Sequence, residues 1–202
     1  MHQPIIAEYA RATLYRGLFS GRTGGWVGVT PTTRRLLDHL GLARADVMGY
    51  SMGARIAAFL TINHPERVRS AVFAGLGINM VRGMAGTGPI AAALEAPSIK
   101  DVTNQTARTF RAFAEQTKGD LKALAACIRS SREPITAEAL GGIRTPVLVA
   151  VGTLDVIGGS ARELAMLIPG AAALEIADRD HMRAVGDRAY MDGVLAFLAQ
   201  RP

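Results

Sequence analysis

The stretch VMGYSMGARIAAF, residues 47 to 59, constrains this chain more than any other. The run ADVMGYS (45 to 51) ends in a serine with a glycine two residues to either side. It passes directly into MGARIAAFLTINH, where Ile56, Ala57 and Leu60 mark a helix face before Pro65 ends it. Strand, sharp turn and helix therefore follow without a linker. In a G-x-S-x-G turn of this kind Gly49 and Gly53 leave room for the reversal, and the serine is held in a strained conformation at the carboxyl edge of a sheet. Its hydroxyl then projects into the cleft where open parallel sheets bind ligands. Three fixed positions in five carry little weight alone. Their placement between strand and helix favours reading Ser51 as a nucleophile over a small residue in a tight turn.

The segments around this turn repeat the same alternation. TPTTRRLLDHLGL, from residue 30, has a Thr cap, Pro31 at the first helical position and Gly41 at the stop. VRSAVFAG (68 to 75), PVLVAVG (146 to 152) and AAALEIA (171 to 177) are short apolar runs of the kind found in strands buried on both faces. SARELAMLI lies between the last two as a helix, and DRAYMDGVLAFLAQ forms another near the end. Alternating strands and helices predict a mostly parallel sheet with flanking helices, an α/β fold. Residues 79 to 140 break the pattern with helical signals such as VTNQTARTFRAFAEQT and DLKALAACIRSS and no strand, which predicts a helical insertion.

Composition narrows the function classes. At 202 residues with 49% hydrophobic content the chain suits one globular domain with an ample core. No run of about 18 apolar residues is present, and the start, MHQPIIAEYARATLYRG, has no signal-peptide pattern, so a cytoplasmic protein is expected. The net charge of +6 comes from scattered arginines without interleaved aromatics, which predicts neither a nucleic-acid nor a membrane partner. The single cysteine, Cys127, excludes an internal disulfide and reads as a small core residue, with no metal site around it.

A serine hydroxyl is a poor nucleophile at neutral pH and needs a base, which in turn needs an orienting acid. Of four histidines, His2 is terminal, His39 lies on the helix before the serine strand and His64 sits at a helix end. His181, in the loop ADRDHMRAVGD after the last strand, is the candidate base. Asp155, just beyond PVLVAV, is the candidate acid; Asp178 and Asp180 compete by nearness to His181 but read better as loop or cap residues. The order Ser51, Asp155, His181, each after a separate parallel strand, is the one expected for one particular fold.

GYSMGA with NHPERVRSAVFAG after it, PVLVAVGTLD, and DHMRAVGD near the end resemble the α/β-hydrolase superfamily, most closely its small bacterial esterases and enol-lactonase-like members. The resemblance covers residues 31 to 202. It implies a core from 31–78 and 141–202, a helical cap from 79–140, a triad of Ser51, Asp155 and His181, and the Met52 backbone N–H as half of an oxyanion hole. It further implies two-step acyl transfer on a small-molecule ester or lactone, with no metal or organic cofactor. Apolar cap residues such as Met80, Met84 and Ile90 hint at an apolar acyl group.

The family's HG-type and D-x-R-G-x-G-x-S-type motifs do not precede Pro31, and residues 1 to 30 read as an atypical segment. The expectation is a fold that is N-terminally incomplete. Losing one oxyanion donor costs on the order of 10²–10³ in rate in another hydrolase, so an inactive hydrolase-like fragment is the alternative to an esterase. An uncovered strand edge would favour homo-oligomers. A dinucleotide site at AGLGIN or GMAGTG is the remaining alternative; the first lacks a third glycine, and the second opens no βα unit with an acidic residue about 20 positions on.

Overall fold

The computed structural model describes residues 29–83, 87–129 and 135–200, so the atypical segment read at 1–30 falls outside them but for Val29 and Thr30. In chain order these residues form α1 (Val29–His39), β1 (Ala45–Tyr50), α2 (Met52–Asn63), β2 (Val68–Ala74), α3 (Asn79–Arg82), α4 (Thr87–Glu95) and α5 (Gln105–Gln116). They continue with α6 (Leu121–Arg129), α7 (Ala137–Gly141), β3 (Val147–Gly152), α8 (Ala161–Ala165), β4 (Ala172–Ile176) and α9 (Arg188–Gln200). Two compact units result, one holding residues 87–129 and the other residues 29–83 and 135–200.

The larger unit is built on a sheet of order β1-β2-β3-β4 in which every pair is parallel. Apolar composition decides which strands lie inside. Every residue of β3 is buried, and β2 exposes only Arg69, whose guanidinium grips the Asp46 carboxylate. Val72, Ala74, Leu148 and Ala150 pack with Ile176, Tyr190 and Val194 in one core cluster. The helix α1 begins at Val29, ahead of the Thr30 cap the sequence suggests. Pro31 then falls within the first turn, where the N–H it lacks has no helical partner anyway.

One expectation fails in this unit. AAALEIA does not form a strand buried on both faces: Ala172, Ala173 and Glu175 are exposed, because β4 is the last strand of the described sheet. In α2 the face marked by Ile56, Ala57 and Leu60 is buried, and the burial extends round the helix. All eight residues Ala54–Thr61 are buried, including Arg55, which donates to the Met80 carbonyl at 3.0 Å. An alanine-rich helix can be enclosed all round because small side chains admit close neighbours.

The smaller unit has its own core of Ile90, Leu94, Val102, Ala107, Ala114 and Ala125. Asn104 caps α5 by accepting from Ala107 N at 2.9 Å, and Asp120 accepts from Ala123 N at 3.0 Å at the start of α6. Arg111, only 5% exposed, sends Nη1 to the carbonyls of Ala93 (2.7 Å) and Ala96 (2.8 Å) and Nε to Glu115 (2.7 Å). It thereby satisfies the orphan carbonyls at the end of α4. Cys127 is half-buried and not the core residue its surroundings suggest. Ile90 is buried in this core, Met80 is buried in the larger unit, and Met84 lies outside the described residues.

No helix among the described residues is long and apolar enough to cross a membrane. Two stability predictions follow from the packing. A Cβ on Gly49 would lie 2.0 Å from the Gly53 carbonyl oxygen, whereas a Cβ on Gly53 meets nothing within 4 Å among the described residues. Gly49→Ala should therefore cost at least about 3 kcal/mol or abolish folding, and Gly53→Ala should cost under about 1 kcal/mol, read from urea midpoints. Arg111→Met leaves buried carbonyls without a donor and should destabilise by about 2–4 kcal/mol. A change below about 0.5 kcal/mol would show that Arg111 does not hold α4.

Candidate active site

Because all four strands run the same way, their carboxyl ends share one edge, and the loops after β1, β3 and β4 carry Ser51, Asp155 and His181. Ser51 is the joint between β1 and α2. Its φ of 55° and ψ of −112° lie in a region that non-glycine residues rarely adopt. Its N–H donates to Ala74 O at 2.7 Å, extending the β1–β2 ladder by one residue, while its carbonyl accepts from Ala54 N at 3.0 Å and starts the helix. One residue thus ends a strand and opens a helix. Gly49 makes that possible by letting the first turn of α2 fold back against the strand.

The acid is held as firmly. Asp155 Oδ1 accepts from the N–H groups of Ile157 (2.9 Å) and Gly158 (2.8 Å), leaving Oδ2 for His181 Nδ1 at 2.8 Å. His181 Nε2 lies 3.0 Å from Ser51 Oγ. Asp155 and His181 are 5% and 6% exposed, so water competes little for these bonds. The structure therefore joins the three residues singled out from the sequence in one hydrogen-bonded chain. With Nδ1–H directed at the carboxylate, the Nε2 lone pair faces the hydroxyl.

The rival acids do something else. Asp180 Oδ1 accepts from the N–H groups of Met182 (3.0 Å) and Arg183 (2.9 Å), and Asp178 is an exposed turn residue with φ 57°. The other two histidines within the described residues stand apart: His39 is exposed on α1 and His64 lies 3.5 Å from Glu66. Met52, for which the resemblance implies an oxyanion role, is the first residue of α2, directly after Ser51.

Sequence reasoning missed two further residues. Tyr50, the unassigned position before the serine, donates its hydroxyl to His181 O at 2.6 Å. Burial, and then the Asp155 charge, push its pKa well above the ordinary tyrosine value, so it remains a donor throughout the neutral range. Asn79 donates to Ile157 O at 3.0 Å and Val156 O at 3.4 Å, clamping the turn that carries Asp155. Its neighbours explain AGLGIN. Gly77 N donates to Gly158 O at 2.8 Å, and a Cβ on Gly77 would come 2.4 Å from Ser160 O. Of the glycines in that motif, Gly77 is thus used for close approach of the acid loop and Gly75 stands against the Tyr50 ring; GMAGTG lies half outside the described residues. Hydrogen-bonding types at turn positions were the available signal for Asn79, but its partner is 77 and 78 residues away.

Among the described residues no three His, Cys, Asp or Glu side chains are grouped to hold a metal ion.

Residues 32–131 match a family model described as alpha/beta hydrolase fold. Solved structures share the architecture. A putative non-heme bromoperoxidase, BpoC, from Mycobacterium tuberculosis H37Rv is 23% identical with a TM-score of 0.67, over 87% of this chain and 74% of that one. MGS-M2, an alpha/beta hydrolase enzyme from a Medee basin deep-sea metagenome library, is 18% identical with a TM-score of 0.73, over 90% and 74%. The carboxylesterase CesB (YbfK) from Bacillus subtilis is 18% identical with a TM-score of 0.62, over 89% and 68%. The all-parallel sheet, the serine joint after β1 and these likenesses agree: the chain has the alpha/beta hydrolase fold.

Proposed function

We propose that this protein is a serine hydrolase that cleaves a small carboxylic ester or lactone through an acyl-enzyme on Ser51. One observation carries the reading: the unbroken chain from Ser51 Oγ through His181 (3.0 Å) to Asp155 (2.8 Å), on a serine held at positive φ. Ester chemistry is consistent with the same fold in a carboxylesterase from Bacillus subtilis and a marine microorganism esterase.

The steps follow from the groups present. Ser51 Oγ attacks the carbonyl carbon while His181 Nε2 takes its proton, and the imidazolium is stabilised by the Asp155 carboxylate against Nδ1–H. The carbonyl oxygen becomes an oxyanion beside the Met52 N–H at the start of α2, where the helix dipole also favours negative charge. Nε2–H then protonates the leaving alkoxide as the tetrahedral intermediate collapses. Water, deprotonated by the same nitrogen, attacks the acyl-enzyme and frees the acid. Ester and water are the only reactants consumed, and the atoms balance without a cofactor.

Labelling with a fluorophosphonate, which phosphonylates an activated serine, tests this together with hydrolysis of p-nitrophenyl acetate and butyrate. Labelling and turnover in the natural sequence, both lost in Ser51→Ala, are the expected results. A well-folded sample that does not label would mean the chain is an inactive relative of its fold. Asp155→Asn gives a second test. An amide there must either aim an NH₂ at the N–H groups of Ile157 and Gly158 or aim it at His181 and reverse the imidazole tautomer. The expected loss is on the order of 10³–10⁴ in kcat with little change in KM, in line with the effect of such a change in another triad enzyme. A loss under tenfold would show that Asp155 does not orient the base.

A further inference from the structure

His181 sits in a loop that follows β4, the most exposed strand of the sheet, and part of that loop is fastened to the end of β3. Thr153 N donates to Ile176 O (2.9 Å), Thr153 Oγ1 accepts from Asp178 N (2.9 Å), and Leu154 N donates to Arg179 O (3.0 Å). A Cβ on Gly152 would lie 2.0 Å from Arg179 O, so this contact is also sterically tight. These bonds fix residues 176–179. His181 lies two residues farther on, and its backbone carbonyl accepts from the hydroxyl of Tyr50 at 2.6 Å.

Tyr50 is itself closely held. Its ring lies 5.4 Å from the imidazole of His181, tilted by 50°, and meets the Tyr190 ring edge-on at 6.3 Å. Gly75, at φ 61°, sits so near that a Cβ there would come 2.5 Å from the ring. Tyr50 is also the last residue of β1, directly before Ser51. The phenol therefore spans from the backbone that sets the serine to the backbone that sets the histidine.

We propose that Tyr50 is a positioning residue: its hydroxyl, bonded to the His181 carbonyl, sets the distance between Nε2 and Ser51 Oγ from the strand that carries the serine. This rests on the serine-hydrolase reading for its effect on rate, though not for the bond itself. Small errors in placement of a reacting group are costly, and one lost hydrogen bond is enough to let the loop sample other positions. Tyr50 touches neither Ser51 Oγ nor the reacting carbonyl in this scheme and acts only through His181.

Tyr50→Phe removes one oxygen and keeps the ring packed against His181, Tyr190 and Gly75, so the fold should survive; an unchanged melting temperature to within a few degrees checks this. The expected result is a fall of roughly tenfold in kcat for p-nitrophenyl butyrate, with KM within about twofold, and a matching fall in the fluorophosphonate labelling rate. A His181→Ala background supplies the readout that a merely structural role would not move. There Y50F should slow labelling no further, because the group it positions is gone. The same further loss in that background, or wild-type kcat in Y50F, would overturn the proposal. Proton NMR reads the bond apart from activity. The downfield Nδ1–H resonance of His181 should be sharp in the natural sequence and broadened or lost in Y50F. If neither protein labels or turns over, the hydrolase reading fails, yet the NMR comparison still decides the positioning claim. A resonance absent from the natural sequence, or unchanged in Y50F, would overturn it.

Discussion

The chain passes from β1 to α2 through a single residue, and the rest of the carboxyl edge is arranged around that passage. Ser51 keeps its unusual backbone because both neighbours are committed: its N–H continues the ladder with Ala74 and its carbonyl already belongs to the helix. Such a conformation costs about 1–3 kcal/mol. Burying Ile56, Phe59 and Leu60 of α2 returns about 1.5–3 kcal/mol for each side chain, which is enough to offset that strain. The hydroxyl is thereby presented at a fixed point, and Met52, the next residue, opens α2.

The partners reach that point by being tied to neighbouring loops. The acid turn hangs on the segment after β2 through Gly77, Ile78 and Asn79, each of which bonds to the backbone of residues 157–160. The carboxylate in turn is locked by two N–H groups of its own loop and one imidazole. The loop before His181 is held by the end of β3 through Thr153 and Leu154, and His181 itself by the tip of β1 through Tyr50. Parallel strands bring the three side chains to one edge. Hydrogen bonds of 2.6–3.0 Å then set their spacing.

Most of this frame could be read along the chain, since each strand is a short apolar run and Ser51, Asp155 and His181 each follow one of them. What stayed hidden depends on neighbours distant in sequence. AAALEIA looks like an interior strand because its alanines are apolar, but burial depends on flanking strands and not on composition, and β4 has β3 alone beside it in the described sheet. Gly49 and Gly53 are equivalent in the motif, yet only on Gly49 would a Cβ run into a carbonyl, 2.0 Å away. Tyr50 and Asn79 occupy positions in GYSMGA and AGLGIN to which those motifs assign no role; their partners lie 131 and about 78 residues away. The atypical start and its consequence for the strand edge belong to residues outside those described, save for the helical Val29 and Thr30.

Covalent catalysis at Ser51 is tested most directly by rapid acid quench of the protein during turnover of p-nitrophenyl butyrate, followed by intact mass and peptide mapping. The predicted result is a butyryl adduct on the peptide that contains Ser51, forming with the burst of p-nitrophenol and decaying as substrate runs out. Steady turnover with no adduct on Ser51, or with the adduct on another residue, would contradict it.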